Sequence, residues 1–172
     1  MSSMGSIDDL RSLLPEATLI TDPDAMDGYR RDEAHLVRPG RPLAVLLAAS
    51  TNEVSQAMRW ANDHRVPVVP RGAGTGLAGG ATAIDDCLVL GLSRMDDIVE
   101  LDAANHVVVV QPGVITAAID RAAAEVGLMY PPDPSSYEIC TIGGNLATNA
   151  GGLRCVKSVS YTHLTLPTIY SV

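Results

Sequence analysis

Between residues 70 and 80 the chain reads Pro70-Arg71-Gly72-Ala73-Gly74-Thr75-Gly76-Leu77-Ala78-Gly79-Gly80. Five glycines in this span give a backbone that can turn with positive φ and let a ligand come close. Successive N–H groups of such a loop can converge into an anion-binding nest. Arg71 is expected to set a permanent positive charge at the mouth of that nest. The preceding run, Val66-Pro67-Val68-Val69, reads as a short buried strand. The chemistry on offer is the holding of a phosphate or pyrophosphate.

Two familiar phosphate loops do not fit. No Gly-Lys-Ser/Thr closes the run and no lysine lies near it, which excludes a P-loop. Gly74, Gly76 and Gly79 satisfy G-x-G-x-x-G, but that fingerprint needs a helix opening at its last glycines. Here Gly80 follows at once, Asp85-Asp86 is turn-like, and Leu88-Val89-Leu90 reads as the next strand. The gap is too short for a crossover helix.

A second block offers similar chemistry. Pro131-Pro132-Asp133-Pro134 is stiff, with φ fixed at three positions, and sets where Ser135 and Ser136 present their hydroxyls and amides. Cys140-Thr141-Ile142-Gly143-Gly144-Asn145-Leu146-Ala147-Thr148-Asn149-Ala150-Gly151-Gly152 then offers close backbone approach and amide side chains. Asp133 also suits the cap of a turn and Asn145 the cap of a helix starting near Leu146, roles compatible with ligand contact.

The two blocks, in this order and at this separation, resemble the FAD-linked oxidases of the vanillyl-alcohol-oxidase (PCMH) fold. The resemblance is nearest to the branch holding the FAD-linked subunit of glycolate oxidase, D-lactate dehydrogenase and D-2-hydroxyglutarate dehydrogenase, and it covers roughly residues 36–157. It implies an α+β fold: a PCMH-type FAD-binding domain with the first α/β subdomain and the start of the second. It implies FAD contacts from Pro70, Arg71, Gly72, Ala73, Gly74, Thr75, Gly76, Leu77, Gly79 and Gly80 around the pyrophosphate. Pro132, Asp133, Pro134, Ser135, Thr141, Gly143, Gly144, Asn145, Thr148, Asn149, Gly151 and Gly152 would run along the ribityl and pyrophosphate towards the isoalloxazine edge, where N–H donors favour a reduced, anionic flavin. Some relatives carry a histidine in the first loop that bonds covalently to the flavin. Thr75 and its neighbours include none, so non-covalent FAD is expected; Cys140 is a remote alternative attachment point and otherwise a small buried hydrophobe.

The elements that must carry these blocks are legible in outline. Residues 6–14 read as a short helix capped by Ser6 and stopped by Pro15, and residues 17–21 as a short strand. Residues 22–42 are polar and irregular, with a turn of helix near 27–29; His35 lies here and is expected to face solvent. Residues 43–47 read as a strand buried on both faces. Ser50-Thr51-Asn52-Glu53 is a capping-box pattern opening a helix to about His64, with Val54, Ala57, Met58 and Ala61 on its apolar face and Trp60 beside it. The strand at 66–69 then completes a parallel βαβ unit that delivers the glycine loop to the carboxyl edge of the sheet. Strands follow at 88–90, 98–101 and 106–110, the last two as a hairpin across Asp102-Ala103-Ala104-Asn105. Thr116 is expected to cap a second helix with Ile115, Ala118, Ile119, Ala122 and Val126 inward, ended by Gly127.

The chain has 172 residues, enough for one domain with a core, and a formal net charge of −8 with no basic run, which argues against nucleic acid and anionic membrane surfaces. Cys87, Cys140 and Cys155 form no C-x-x-C pair or zinc pattern and fit a reducing, cytoplasmic setting. No secretory signal is visible, and the longest apolar run, residues 43–49, is too short to span a bilayer. Residues 1–35 read as a helix and lead-in, 36–157 as the partial FAD-binding domain. From Ser158 to Val172 the sequence departs from the family pattern and resembles vector read-through, so a foreign tail on a truncated frame is expected.

The resemblance implies a parent enzyme that oxidises a small 2-hydroxy acid of glycolate or D-lactate type, passing electrons to a quinone, an iron–sulfur partner or oxygen. Its substrate arginines, metal-binding histidines and base would lie beyond this chain, so no catalytic residue is assigned. Alternatives are another PCMH-fold flavoenzyme, such as an ether-lipid synthase relative or a sugar-lactone oxidase, or a fragment without activity of its own.

Overall fold

The structure is a computed structural model that describes residues 3–155. The tail at 158–172 therefore lies outside the described residues. Among the described residues twelve elements run α1 (Ser3–Leu13), β1 (Thr18–Ile20), α2 (Pro23–Met26), a 3-10 turn (Asp27–Tyr29), β2 (Ala44–Leu47), α3 (Thr51–His64), β3 (Val68–Arg71), β4 (Leu88–Gly91), β5 (Ile98–Asp102), β6 (Val107–Val110), α4 (Thr116–Glu125) and α5 (Ile142–Thr148).

The first sheet has the order β1-β2-β4-β3, with β2, β4 and β3 parallel and β1 antiparallel at one edge. The expected βαβ unit is parallel, but β4 sits between its two strands. The reason lies in the residues. All four positions of β4 are buried, which suits a central strand. β3 contains Pro70, which lacks an N–H and is tolerated at an edge.

Side chains alternate across this sheet, so each face has its own core. Ala44, Leu46, Leu88 and Leu90 meet Leu10 and Leu14 from the N-terminal helix region and Ala57, Trp60 and Ala61 from α3. Val45, Val69, Cys87 and Val89 face the other way, onto Met26, Tyr29 and Ala83. That second core is the floor beneath the glycine loop, and the segment of residues 20–29 supplies part of it.

Several local expectations shift by a residue or a face. α1 begins before Ser6, which lies inside the helix rather than at its cap. The capping box of α3 forms, with the Ser50 hydroxyl accepting the Glu53 N–H at 3.2 Å; the Glu53 carboxylate accepts the N–H of Ala49, one residue beyond the usual return bond, at 2.8 Å. The inner face of α3 is Ala57, Trp60 and Ala61, while Met58 is 45% exposed. Trp60 replaces Met58 because the stripe that meets the sheet and α1 is centred one residue round the helix.

The second part of the chain is a separate β5–β6 antiparallel hairpin packed with α4 and α5 around Val114, Ile119 and Ile142. His106 does not open β6; it turns the hairpin with φ +55°. Ile115, not Thr116, is the N-cap of α4, and Thr116 is its first, fully buried residue. Val126 is 45% exposed rather than inward, and Gly127 follows at φ +75° in the left-handed position that ends helices. Among the described residues no helix is long and apolar enough to cross a membrane.

Ser50→Ala should destabilise the fold by about 1 kcal/mol, the usual cost of losing an N-cap side chain. Urea denaturation followed by far-UV circular dichroism checks this, and an unchanged midpoint would contradict the capping geometry.

Candidate cofactor site

β3 ends at Arg71 and the chain passes to its parallel neighbour β4 without a helix. The connection is the glycine loop itself. Among the described residues, no backbone N–H from Gly72 to Gly80 donates to a protein acceptor. The loop is instead tied by its carbonyls: Gly76 accepts from the Glu33 N–H at 2.9 Å and Gly79 from the Thr82 N–H at 3.1 Å. Gly74 and Gly79 need glycine twice over, with φ of +78° and +80° and with a Cβ that would press on the Arg71 guanidinium and on Val37 respectively. Ala73, Leu77, Ala78 and Gly80 are exposed, while Thr75 is half-buried.

Arg71 does not stand at the mouth of the loop. It is 9% exposed and turned beneath it. Its Nη1 donates to the carbonyl of Arg31 at 2.7 Å and more weakly to that of Ala81 at 3.5 Å, and its Nη2 donates to that of Gly28 at 3.4 Å. Tyr29 lies 6.0 Å from the guanidinium carbon, at the outer limit of a cation–π contact. Burial lowers the guanidinium's proton affinity, and Asp32 and Tyr29 partly restore it.

Asp32 is a site residue that the sequence reading missed. Its Oδ1 accepts the Thr82 hydroxyl at 2.8 Å and the Ala34 N–H at 3.1 Å, and its Oδ2 accepts the Ala81 N–H at 3.3 Å. Burial pushes its carboxyl up, but the three hydrogen bonds outweigh that and hold it below the ordinary aspartate value.

The second block is built differently from its expectation at two places. Asp133 does not offer its carboxylate to a ligand: Oδ1 accepts the Arg154 N–H at 2.8 Å, Oδ2 lies 3.4 Å from Arg154 Nε, and its own N–H donates to Gly151 at 2.9 Å. Pro132 and Pro134 are buried on either side, and Ser135 is exposed. Gly152, at φ +74°, lies against the Asp133 carbonyl with no room for a Cβ, and Gly151 lies against the Cys155 sulfur in the same way.

Asn145 is not a helix cap. α5 begins at Ile142, and Asn145 is buried inside it, donating its amide to the Thr116 hydroxyl. Thr116 in turn lies 3.3 Å from Cys140 Sγ, which leaves Cys140 buried as a packing residue. The N–H of Gly143 is used on the Pro112 carbonyl at 2.9 Å, and a Cβ there would meet Pro112. Thr148 bonds back to the Gly144 carbonyl at 2.9 Å, and Asn149 ends the helix at φ +54°.

Asp120 pins the approach to this block by accepting the Tyr130 N–H at 2.9 Å and the Tyr137 hydroxyl at 2.6 Å. That hydrogen bond is the main reason the Tyr137 phenol is pushed up to about 12.

The two blocks meet at one seam. A Cβ on Gly72 would collide with Thr141 Oγ1, and one on Gly144 would come within 3.3 Å of it. Thr141 Oγ1 is buried and has no hydrogen-bond partner among the described residues. The Gly144 N–H, like those of 72–80, has no protein acceptor among the described residues. A buried hydroxyl without a partner, set between two glycines whose amides are unused, fits the oxygens of a pyrophosphate.

Gly72→Ala should cost about 1–3 kcal/mol as an overpacked contact, and adding Thr141→Ala should recover much of it, as read by urea denaturation. A second expectation concerns pH. The stabilisation from the Tyr137–Asp120 bond is intact below the ordinary tyrosine value of 10 and is lost as pH climbs through about 12. Tyr137→Phe should remove that alkaline loss, visible as a smaller fall in thermal midpoint across this window.

Comparison with known proteins agrees with this geometry. The profile of the FAD binding domain family matches residues 42–166. The chain is 42% identical over 148 residues to a D-2-hydroxyglutarate dehydrogenase of Xanthomonas citri pv. viticola, covering 86% of this chain and 31% of that protein. It is 49% identical over 116 residues to the glycolate oxidase subunit GlcD of Bacillus subtilis, covering 67% and 25%. A D-lactate dehydrogenase of Anaerostipes hadrus is 38% identical over 151 residues, covering 88% and 31%. The chain thus spans no more than about a third of the length of these relatives. Among solved structures, an alkyldihydroxyacetonephosphate synthase superposes with a TM-score of 0.78 at 22% identity, over 89% of this chain and 30% of that one. p-Cresol methylhydroxylase superposes with a TM-score of 0.69 at 19% identity, over 83% and 30%. The fold is that of the PCMH-type FAD-binding domain, and the chain belongs to the family of FAD-linked oxidoreductases that carry it.

Proposed function

We propose that this chain is the cofactor-binding portion of a flavin-dependent dehydrogenase or oxidase acting on a small 2-hydroxy acid, and that it holds FAD without a covalent bond. The observation that carries the cofactor part is the seam where Gly72, Gly144 and the unpartnered Thr141 hydroxyl converge. The substrate class rests on the relatives named as glycolate oxidase subunit and as D-lactate and D-2-hydroxyglutarate dehydrogenases.

In this reading the backbone N–H groups of 72–80 and of Gly144, with Thr141 Oγ1, bind the pyrophosphate by donation rather than by a lysine. Pro132, Pro134 and Ser135 set the course of the chain along the rest of the cofactor. Gly143, Asn145, Thr148, Asn149, Gly151 and Gly152 hold α5 and its exit in the shape that presents Thr141 and Gly144. When bound, FAD would supply the two-electron acceptor for oxidation of the substrate's α-carbon. Thr75 places no imidazole in the loop, so nothing there can attach to the flavin ring. The electron acceptor of the whole protein would be a quinone, an iron–sulfur partner or oxygen. Buried Cys87 and Cys140 thiols support a reducing, cytoplasmic compartment.

The chain purified with FAD should show flavin absorption bands that co-elute with it, and heat denaturation should release all the flavin into the supernatant. A protein that gains no bands contradicts the cofactor reading, and flavin that stays with the precipitate contradicts non-covalent binding.

A further inference from the structure

Nine amides without a protein acceptor among the described residues, and five glycines, make a loop that is costly to order when a ligand arrives. The segment of residues 28–34 crosses its base. Arg71, at the loop's entry, reaches under it to the carbonyls of Gly28 and Arg31 on that segment. Asp32, on the segment, reaches the other way to the Ala81 N–H and the Thr82 hydroxyl at the loop's exit. Backbone bonds run alongside, from Glu33 N–H to the Gly76 carbonyl at 2.9 Å and from Ala83 N–H to the Arg30 carbonyl at 2.9 Å. Gly74 rests on the Arg71 guanidinium and Gly76 lies over Asp32 Oδ2, so both side chains also support the loop from below.

We propose that Arg71 and Asp32 are positioning residues that form a crossed clamp, each side chain anchoring the other's segment, and that this clamp fixes the glycine loop for FAD before FAD binds. Arg71 then acts through its planar fork on carbonyls and not as a charge on the phosphates. The inference rests on the FAD reading and adds to it a role for the 28–34 segment.

Positioning and direct electrostatics predict opposite signs at Asp32. Removing a carboxylate from beside an anion site should leave binding unchanged or tighten it if charge alone matters. An asparagine there would instead set an NH₂ group against either the Ala81 N–H or the Ala34 N–H, so a donor faces a donor in both orientations and one of the three bonds that tie this segment to the loop's exit is broken.

The test is the affinity of the full chain for FAD, by quenching of flavin fluorescence. Asp32→Asn should weaken FAD by about tenfold or more, the scale of a lost charge-assisted hydrogen bond. Thr82→Val should weaken it in the same direction, and Thr82→Ser, which keeps the hydroxyl, should bind like the parent. Arg71→Lys, which keeps the charge but loses the fork, should also weaken it. Hydrogen exchange without FAD should show the Glu33, Ala81 and Ala83 amides losing protection in Asp32→Asn while those of β2 and β4 do not. Equal or tighter binding by Asp32→Asn, parental affinity in Arg71→Lys, or unchanged exchange at those three amides would each overturn the clamp. If Asp32→Asn does not fold, the Thr82 pair decides: equal affinities for serine and valine overturn it. A parent chain that binds no FAD overturns the cofactor reading and the clamp's role with it, a result separable from the others because it precedes any substitution.

Discussion

Two parallel neighbouring strands, β3 and β4, are joined here by sixteen residues, 72–87, that contain no helix. A parallel pair normally returns through a helix that satisfies its own backbone. This connection does not, and that one constraint shapes the rest of the site. A helix-free crossover leaves the N–H groups of residues 72–80 without a protein acceptor among the described residues, which is what a phosphate site needs. It also leaves the loop with little internal support, so most of its shape must be imposed from outside.

The support comes from two directions. Below, Arg71 and Asp32 exchange anchors between the loop and the segment at 28–34. To the side, Thr141 closes on Gly72, and no residue larger than glycine fits there. Fixing a residue's backbone costs roughly 1–2 kcal/mol, with glycine at the upper end. Meeting that cost during folding, where apolar burial on both faces of β2 and β4 offsets it, leaves less to be met on binding. The residues 20–29 that complete the floor of the loop also pack into the core of this sheet through Ile20, Met26 and Tyr29, so the lead-in is part of the site's foundation.

Much of this was legible in the residues. Glycine spacing, β-branched runs and the Ser50/Glu53 pair report local backbone preferences, and these placed β2, α3, the glycine loop and the β5–β6 hairpin. The match of two separated motifs to one family identifies the cofactor as FAD. What local patterns could not convey was which distant groups meet. Arg71 beside five glycines reads as a phosphate ligand, because nothing nearby in sequence shows the carbonyls of Gly28 and Arg31 that accept its hydrogen bonds. Asp32 looks like an ordinary loop aspartate until Thr82, fifty residues away, is seen against it. Asn145 and Asp133 read as cofactor contacts, with capping as the plainer role, but Thr116 and Arg154 claim their side chains. Strand order eluded the sequence for the same reason: burial on both faces of β4 and the proline in β3 decide it only when the strands compete for the centre.

The central claim is that the glycine loop and the Thr141–Gly144 turn are two halves of one FAD cradle. Amide NMR of the ¹⁵N-labelled chain during titration with FAD tests it most directly. The N–H signals of Gly72 to Gly80 and of Gly144 should shift together and saturate at one FAD concentration. FAD binding that moves other amides while leaving these in place would contradict it.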